Sequence, residues 1–320
     1  MNAITKIMHS TDQFQRNNPV IGFLYALIKK YGTDNASYLA ALITYYGILS
    51  LFPLLIVFTT VSQLLLKNDA PLRLKLSSSV SHYLPIIGSQ LQHNIHSSTK
   101  TGLALVISLL ITLYGARGGA SAVQYAISSL WYIPQTKQPP FAKNILRSFG
   151  IIFAGGFGFM AATFISGYTT FLGHSIATKI LALLISCAIL WVTFIGIIQL
   201  AIPVHKKIRQ IMLGAAIAAI GLQILQTIGN TLLAHELKSF NSTYGTFALV
   251  IGLMFWIYLQ AEVILYAANV DVIRAYKLFP RSLQNPLTVA DRRAYRRAAR
   301  AQSRHETEQL DIHFSDPSTT

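Results

Sequence analysis

Residues 180–205 read ILALLISCAILWVTFIGIIQLAIPVH, and no Asp, Glu, Lys or Arg stands between Lys179 and Lys206. At about 1.5 Å per helical residue, roughly 20 apolar residues cross the ~30 Å hydrocarbon core of a bilayer. This stretch therefore predicts a transmembrane helix. The same test finds three more windows free of ionised side chains: Asp34 to Lys67, Arg147 to Lys179, and Arg209 to Glu236. Two others hold one charge each, Arg117 between Thr101 and Ile133 and Glu262 between Ser239 and Val270. Their long apolar flanks offset the roughly 2.5–3.5 kcal/mol that one central charge costs on insertion. Six transmembrane helices are predicted, over about 38–66, 102–131, 146–171, 179–203, 210–234 and 245–273.

Composition agrees. Of the 320 residues, 52% are hydrophobic and only 12% charged, against roughly 25% charged in soluble domains, and the mean hydropathy is +0.47. These values exclude disorder, collagen-like repeats and an ordinary cytosolic enzyme. The net charge of +15 would point to nucleic acid in a soluble protein. In a membrane protein it reflects cytoplasmic loops beside anionic lipid, so no nucleic-acid partner is expected. Cys187 is the lone cysteine, so no internal disulfide can form. Residues 1–20 are polar and predict no cleavable signal peptide.

Lys and Arg are distributed unevenly about these spans: 19 fall on the side of both termini and six on the other. The positive-inside rule then places both termini in the cytoplasm. The chain divides into a cytoplasmic N-terminal segment (1–37), the six-helix domain (38–273) with one long extracytoplasmic loop (67–101), and a basic, partly disordered cytoplasmic tail (274–320). Within the first segment, residues 19–31 (PVIGFLYALIKKY) open with Pro19, a favoured first helical residue. Val20, Phe23, Leu24, Leu27, Ile28 and Tyr31 form an apolar stripe. This predicts an amphipathic helix that lies in the inner interface or packs on the cytoplasmic face of the bundle. In the tail, Arg292, Arg296, Arg300 and Arg304 recur every four residues. On a helix they would form an arginine stripe that contacts anionic headgroups, is merely solvated, or acts as a topology signal.

Several residues within the spans stand out. Pro53 cannot donate to the carbonyl of Leu49 and predicts a kink, with Ser50 available to satisfy freed backbone. Tyr45 and Tyr46 beside that kink either line a path or belong to a tolerated proline helix. Gly115 and Gly119 make a G-x-x-x-G, a pattern for close helix contact. Arg117 and Glu262 are expected at similar depth with opposite sign, which predicts an ion pair, either structural or tied to transport. The alternative for Arg117 is to snorkel to the inner interface. Gln223, Gln226 and Asn230 share one helical face, as interhelical glue or as the lining of a cavity. His235-Glu236 begins like a zinc helix, but Ser239 stands where the second His belongs. No phosphate-binding glycine loop and no carboxylate pair for a metal is present, so neither catalytic residues, nor a metal, nor a cofactor is expected.

The run Ala40-Ala41-Leu42-Ile43-Thr44-Tyr45-Tyr46-Gly47-Ile48-Leu49-Ser50-Leu51-Phe52-Pro53 resembles the first-span signature of the YihY/BrkB family of bacterial membrane proteins. Arg117-Gly118-Gly119 followed by Ser129-Leu130-Trp131 resembles its second-span motif, and Trp256-Ile257-Tyr258 with Glu262 and Asn269 its last. The resemblance covers roughly residues 20–280. It departs at Tyr266-Ala267-Ala268, where many members carry a glycine. The resemblance implies six helices in the bacterial inner membrane. It also brings three functional labels: a serum-resistance virulence factor, a tRNA-processing ribonuclease, and a factor in envelope lipid traffic. The ribonuclease label fits poorly, for want of a metal cluster.

The sequence thus predicts an all-α polytopic inner-membrane protein, not an enzyme. Its expected partners are membrane lipids, and its expected work is lipid or envelope-precursor transport and envelope integrity, without an ATPase of its own. The competing reading is a non-transporting envelope scaffold that recruits envelope protein partners.

Overall fold

The computed structural model describes residues 3–65, 103–168, 176–240, 245–283, 286–305, 307–308 and 310–314. The described residues form helices joined by turns. They run as α1 (Ala3–Asn17), α2 (Pro19–Thr33), α3 (Ala36–Leu65), α4 (Leu103–Leu130), α5 (Phe141–Tyr168), α6 (Ile176–Ala201), α7 (Ile208–Phe240), α8 (Gly245–Tyr276) and α9 (Val289–Ala301). The expected extracytoplasmic loop over 67–101 lies outside the described residues.

Helices α3 to α8 correspond to the six predicted spans. Among the described residues, four contain a segment long and apolar enough to cross a membrane: Phe141–Ala162, Ile176–Ala201, Ile208–Gly229 and Val250–Tyr276. In α3 the apolar segment Ala36–Leu51 is shorter. The architecture is that of an all-helical polytopic membrane protein.

Each long helix packs on its neighbour in the chain, and α8 returns to pack on α3, so the six close into a ring. From α4 onward the connections are short, which leaves those sequential helices little choice but to be antiparallel neighbours. Small residues let the backbones approach: Ala116, Ala120, Ala126, Ala215, Ala219 and Ala268 are all buried. At Gly119 a Cβ would lie 2.6 Å from the hydroxyl of Ser50, so any side chain there would force that hydroxyl to turn away from its place between α3 and α4.

The ends of α4 and α8 share one device. Tyr132 (φ 53°) and Lys277 (φ 54°) both adopt the left-handed conformation. Ile133 N–H donates to Ser128 (3.1 Å) and Leu278 N–H to Ile273 (3.0 Å), which closes a Schellman motif on each helix. Glycine is usual at that position, and here tyrosine and lysine occupy it.

The two chain ends meet. Asp12 of α1 accepts from Leu283 N–H (2.8 Å) and Gln15 (3.0 Å) and pairs with Arg16, while Gln15 also donates to the Arg281 carbonyl (2.6 Å). Asp291 of α9 is fully buried. It accepts from Lys29 Nζ (3.1 Å), Arg281 Nε (3.0 Å), Ser282 N–H (2.8 Å) and Oγ (2.7 Å), and Thr288 Oγ1 (2.6 Å). Burial opposes its charge, but the donors from Ser282, Thr288 and Arg281 outweigh burial and hold the carboxyl well below the usual carboxylate range. Residues 12–29 thus grip residues 281–291, which brings the two ends of the helical ring together.

The expected tail differs in two respects. Helix α9 ends at Ala301, so Arg304 lies beyond the stripe, where its N–H donates to Glu308 (2.8 Å). Residues 310–314, expected to be disordered, fold back: the Phe314 ring sits 6.5 Å from that of Tyr295 and under the guanidinium groups of Arg292 and Arg296.

Replacing Asp291 by Ala strands Lys29 and Arg281 and should cost about 3–5 kcal/mol, read by thermal unfolding of the detergent-solubilised protein. Asp311→Ala breaks a fully solvated pair with His313 and should leave the transition unmoved. Because the native Asp291 value is depressed, its contribution is complete above the ordinary carboxylate value of about 3.9 and drains as pH falls below it.

Candidate functional site

Helix α2 positions the polar groups on the termini side. Pro19 starts it with a preset φ, and Gly22, Ala26 and Lys30, spaced by four, form its buried face. Phe23 and Leu27 pack against the core, while Val20 (70% exposed), Leu24 and Ile28 (66%) remain open. The helix is therefore docked on one face and leaves an apolar face exposed on the other.

Lys30, in the last turn of α2, is fully buried. Its ammonium pairs with Asp34, donates to the Leu130 carbonyl (3.2 Å) and lies 4.4 Å from the Tyr132 ring centroid. Tyr132 in turn donates to Asp34 (3.0 Å). Burial pulls the ammonium below the usual lysine value, and Asp34 works against that shift. A lysine four residues after Ala26 and eight after Gly22 was the available signal, since that spacing puts it on the small, buried face.

The expected ion pair between Arg117 and Glu262 is not formed. Glu262 accepts a short hydrogen bond from the Tyr31 hydroxyl of α2, and the Tyr31 ring stacks on Tyr266 one turn along α8 (4.0 Å, 5°). Burial, and then the Glu262 carboxylate, drive the Tyr31 phenol far above its usual range, so it stays a donor. Arg117 turns elsewhere: its guanidinium lies 5.7 Å from the Tyr114 ring centroid and 5.2 Å from that of Phe141. Its Nε is buried without a hydrogen-bond partner, and no carboxylate pairs with it among the described residues. The physical reason is that a phenol offers Glu262 a hydrogen bond without burying a second charge, while aromatic faces attract the guanidinium.

Around Arg117 the structure gathers several predicted residues. Tyr46 packs on Gly118, and Ser50 on Gly119. Ser50 Oγ donates to the carbonyls of Tyr46 (2.7 Å) and Gly47 (3.1 Å), not to that of Leu49. Helix α3 continues through Pro53, whose side chain lies outside the described residues. The Tyr45 and Tyr46 rings meet edge to face at 5.2 Å, and both are exposed, as is Tyr114. Gln223 and Gln226 are not part of this group. They lie on α7, which packs on α6 and α8, and make no side-chain hydrogen bond among the described residues. The Asn230 side chain lies outside the described residues. Arg296 and Arg300 are exposed on α9.

The residues missed by sequence reasoning are those whose partners lie far along the chain: Tyr31 for Glu262, Tyr132 for Asp34, and Lys29 for Asp291. One local signal existed, Thr288-x-x-Asp291, which forms a capping box at the start of α9. Among the described residues, no group of three or more His, Cys, Asp or Glu could hold a metal ion.

Tyr31→Phe should cost about 1–3 kcal/mol by removing the Tyr31 hydroxyl donor from Glu262. In a double-mutant cycle with Glu262→Gln, the pair should show a coupling of about 0.5–3 kcal/mol, whereas Arg117→Ala and Glu262→Ala should be additive. Chemical denaturation in mixed micelles measures both.

Comparison with known proteins bears on the same residues. The relatives include a ribonuclease-like protein, YfkH, of Bacillus subtilis, 23% identical over 79% of this chain and 95% of its own length. Two proteins named UPF0761 membrane protein are 22% identical. That of Alcanivorax borkumensis matches over 82% of this chain and 62% of its own length, and that of Cronobacter sakazakii over 90% and 96%. No solved structure matches. The family model described as virulence factor BrkB matches residues 27–291, a range that takes in the second half of α2, the whole helical ring and the Asp291 anchor. The chain belongs to the BrkB family of membrane proteins.

Proposed function

We propose that this protein is a six-span protein of the bacterial inner membrane, with both termini in the cytoplasm, that moves a lipid or envelope precursor across the bilayer without an ATPase of its own. The observation that carries this reading is Arg117. A guanidinium within a span, half-buried and faced by aromatic rings with no carboxylate partner among the described residues, costs roughly 2.5–3.5 kcal/mol on the insertion scale. A phosphate-bearing headgroup would supply the missing counter-charge. The exposed rings of Tyr45, Tyr46 and Tyr114 suit an amphiphile, because tyrosine presents an apolar face and a polar tip. No metal or cofactor enters this reading, and the protein is not an enzyme in it. At the tail, headgroup contact falls chiefly to Arg300, since Phe314 stands beside Arg292 and Arg296, and Arg304 lies past the helix.

The excess of basic residues on the termini side supports the orientation. Reporter fusions at Lys137, Lys206 and Arg292 should read cytoplasm, and those at Ser78 and Ser239 the outside. An external reading at Arg292 would overturn the orientation. In liposomes with labelled phospholipid, the protein should scramble lipid, and Arg117→Gln should slow it by about tenfold or more, the loss expected when a hydrogen bond to a charged group is removed. Retained folding with no scrambling in the wild type would favour the envelope scaffold.

A further inference from the structure

A cavity of about 800 Å³ opens on the termini side, between α2, the end of α8 and the start of α9. Three cations line it: Arg274 and Lys277 from the end of α8, and Arg293 from α9. All three are exposed, and none forms an ion pair within 4 Å among the described residues. The neighbouring carboxylate, Asp291, is already engaged by Lys29 and Arg281. Apart from Thr288, whose hydroxyl is bonded to Asp291 and the Pro280 carbonyl, the remaining wall is apolar. Phe23 of α2 meets Phe279 edge to face at 5.4 Å, and Val289 stands open beside them.

Lys277 marks the site a second time. It holds the left-handed position that ends α8, with φ 54°. A side chain there is disfavoured and glycine is the ordinary occupant. The lysine is thus not required by the turn it sits in, and what it adds is a cation on the cavity wall. Backbone strain of this kind is found where a side chain has work to do.

From these features we infer that the cavity binds the phosphate headgroup of an anionic phospholipid from the adjoining leaflet. Three cations match a phosphate that offers several acceptor oxygens. The wall continues from Phe23 along α2 to the exposed Val20, Leu24 and Ile28, a face that suits an acyl chain and gives a soluble phosphate nothing to bind. Amphipathic helices at a membrane surface bury such a face among lipid chains. The site uses none of the residues of the Arg117 region, and it stands whether or not the protein moves lipid.

Equilibrium binding to the detergent-solubilised full-length protein tests it, read by native mass spectrometry with dioleoylphosphatidylglycerol and dioleoylphosphatidylcholine as probes. The wild type should retain one phosphatidylglycerol in preference to phosphatidylcholine. Lys277→Gly and Arg293→Gln should each weaken that binding about fivefold, the usual effect of one basic residue near anionic lipid. Lys277→Gly is the sharper variant, because glycine suits the left-handed turn and the fold is kept. Lys207→Gln, an exposed lysine outside the cavity, should change nothing. Unaltered binding in the double variant Lys277→Gly/Arg293→Gln would overturn the site. An equal loss with Lys207→Gln would do the same, by reducing the effect to diffuse surface charge. Displacement of the lipid by glycerol 3-phosphate at equal concentration would show that the acyl chain contributes nothing, and would overturn the lipid as occupant.

Discussion

Two adjacent lysines on one short helix hold the termini side of this protein together. Lys29 and Lys30 both leave bulk water, and a buried ammonium is tolerated only beside a carboxylate and further acceptors. Lys30 takes Asp34 and the end of α4. Lys29 takes Asp291 and the Ser282 carbonyl at the far end of the chain. Side chains at consecutive helical positions diverge by about 100°, so the two charges pull in different directions. One fastens α2 to the ring of long helices, and the other fastens the C-terminal segment to α2. Asp12 and Gln15 add a second grip on residues 281–283.

This docking has consequences for the interior of the ring. Tyr31 follows Lys30 directly, and once α2 is seated its hydroxyl meets Glu262. The carboxylate is then satisfied without a cation, and Arg117 is left with aromatic neighbours. A single helix outside the spans thus separates two charges that depth and sign alone would have paired. A buried ion pair has to recover the desolvation of both groups, whereas a neutral donor spares one of them.

The termini side is also where left-handed residues other than glycine gather. Asn35, Tyr132 and Lys277 end α2, α4 and α8 respectively with positive φ. Tyr132 reaches Asp34 from its position, which accounts for a tyrosine there. Lys277 has no such internal partner among the described residues, and it borders the cavity beside α9.

The sequence by itself determined the helices. Crossing hydrocarbon is a matter of length and apolarity along one segment, so 180–205 could be read without knowing its neighbours. The unequal distribution of lysine and arginine was equally legible, because it is a sum over segments. The start of α2 at Pro19 and the capping box at Thr288 were local as well. What only the tertiary structure decided was which polar groups meet. Tyr31 and Glu262 are 231 residues apart in the chain, and Lys29 and Asp291 are 262. Depth and sign match the charges of Arg117 and Glu262 in the sequence, but carry no information on a hydroxyl that arrives from α2. Partner choice is set by where α2 docks. That depends on the burial of Gly22, Ala26 and Lys30 against residues drawn from the whole length of the chain.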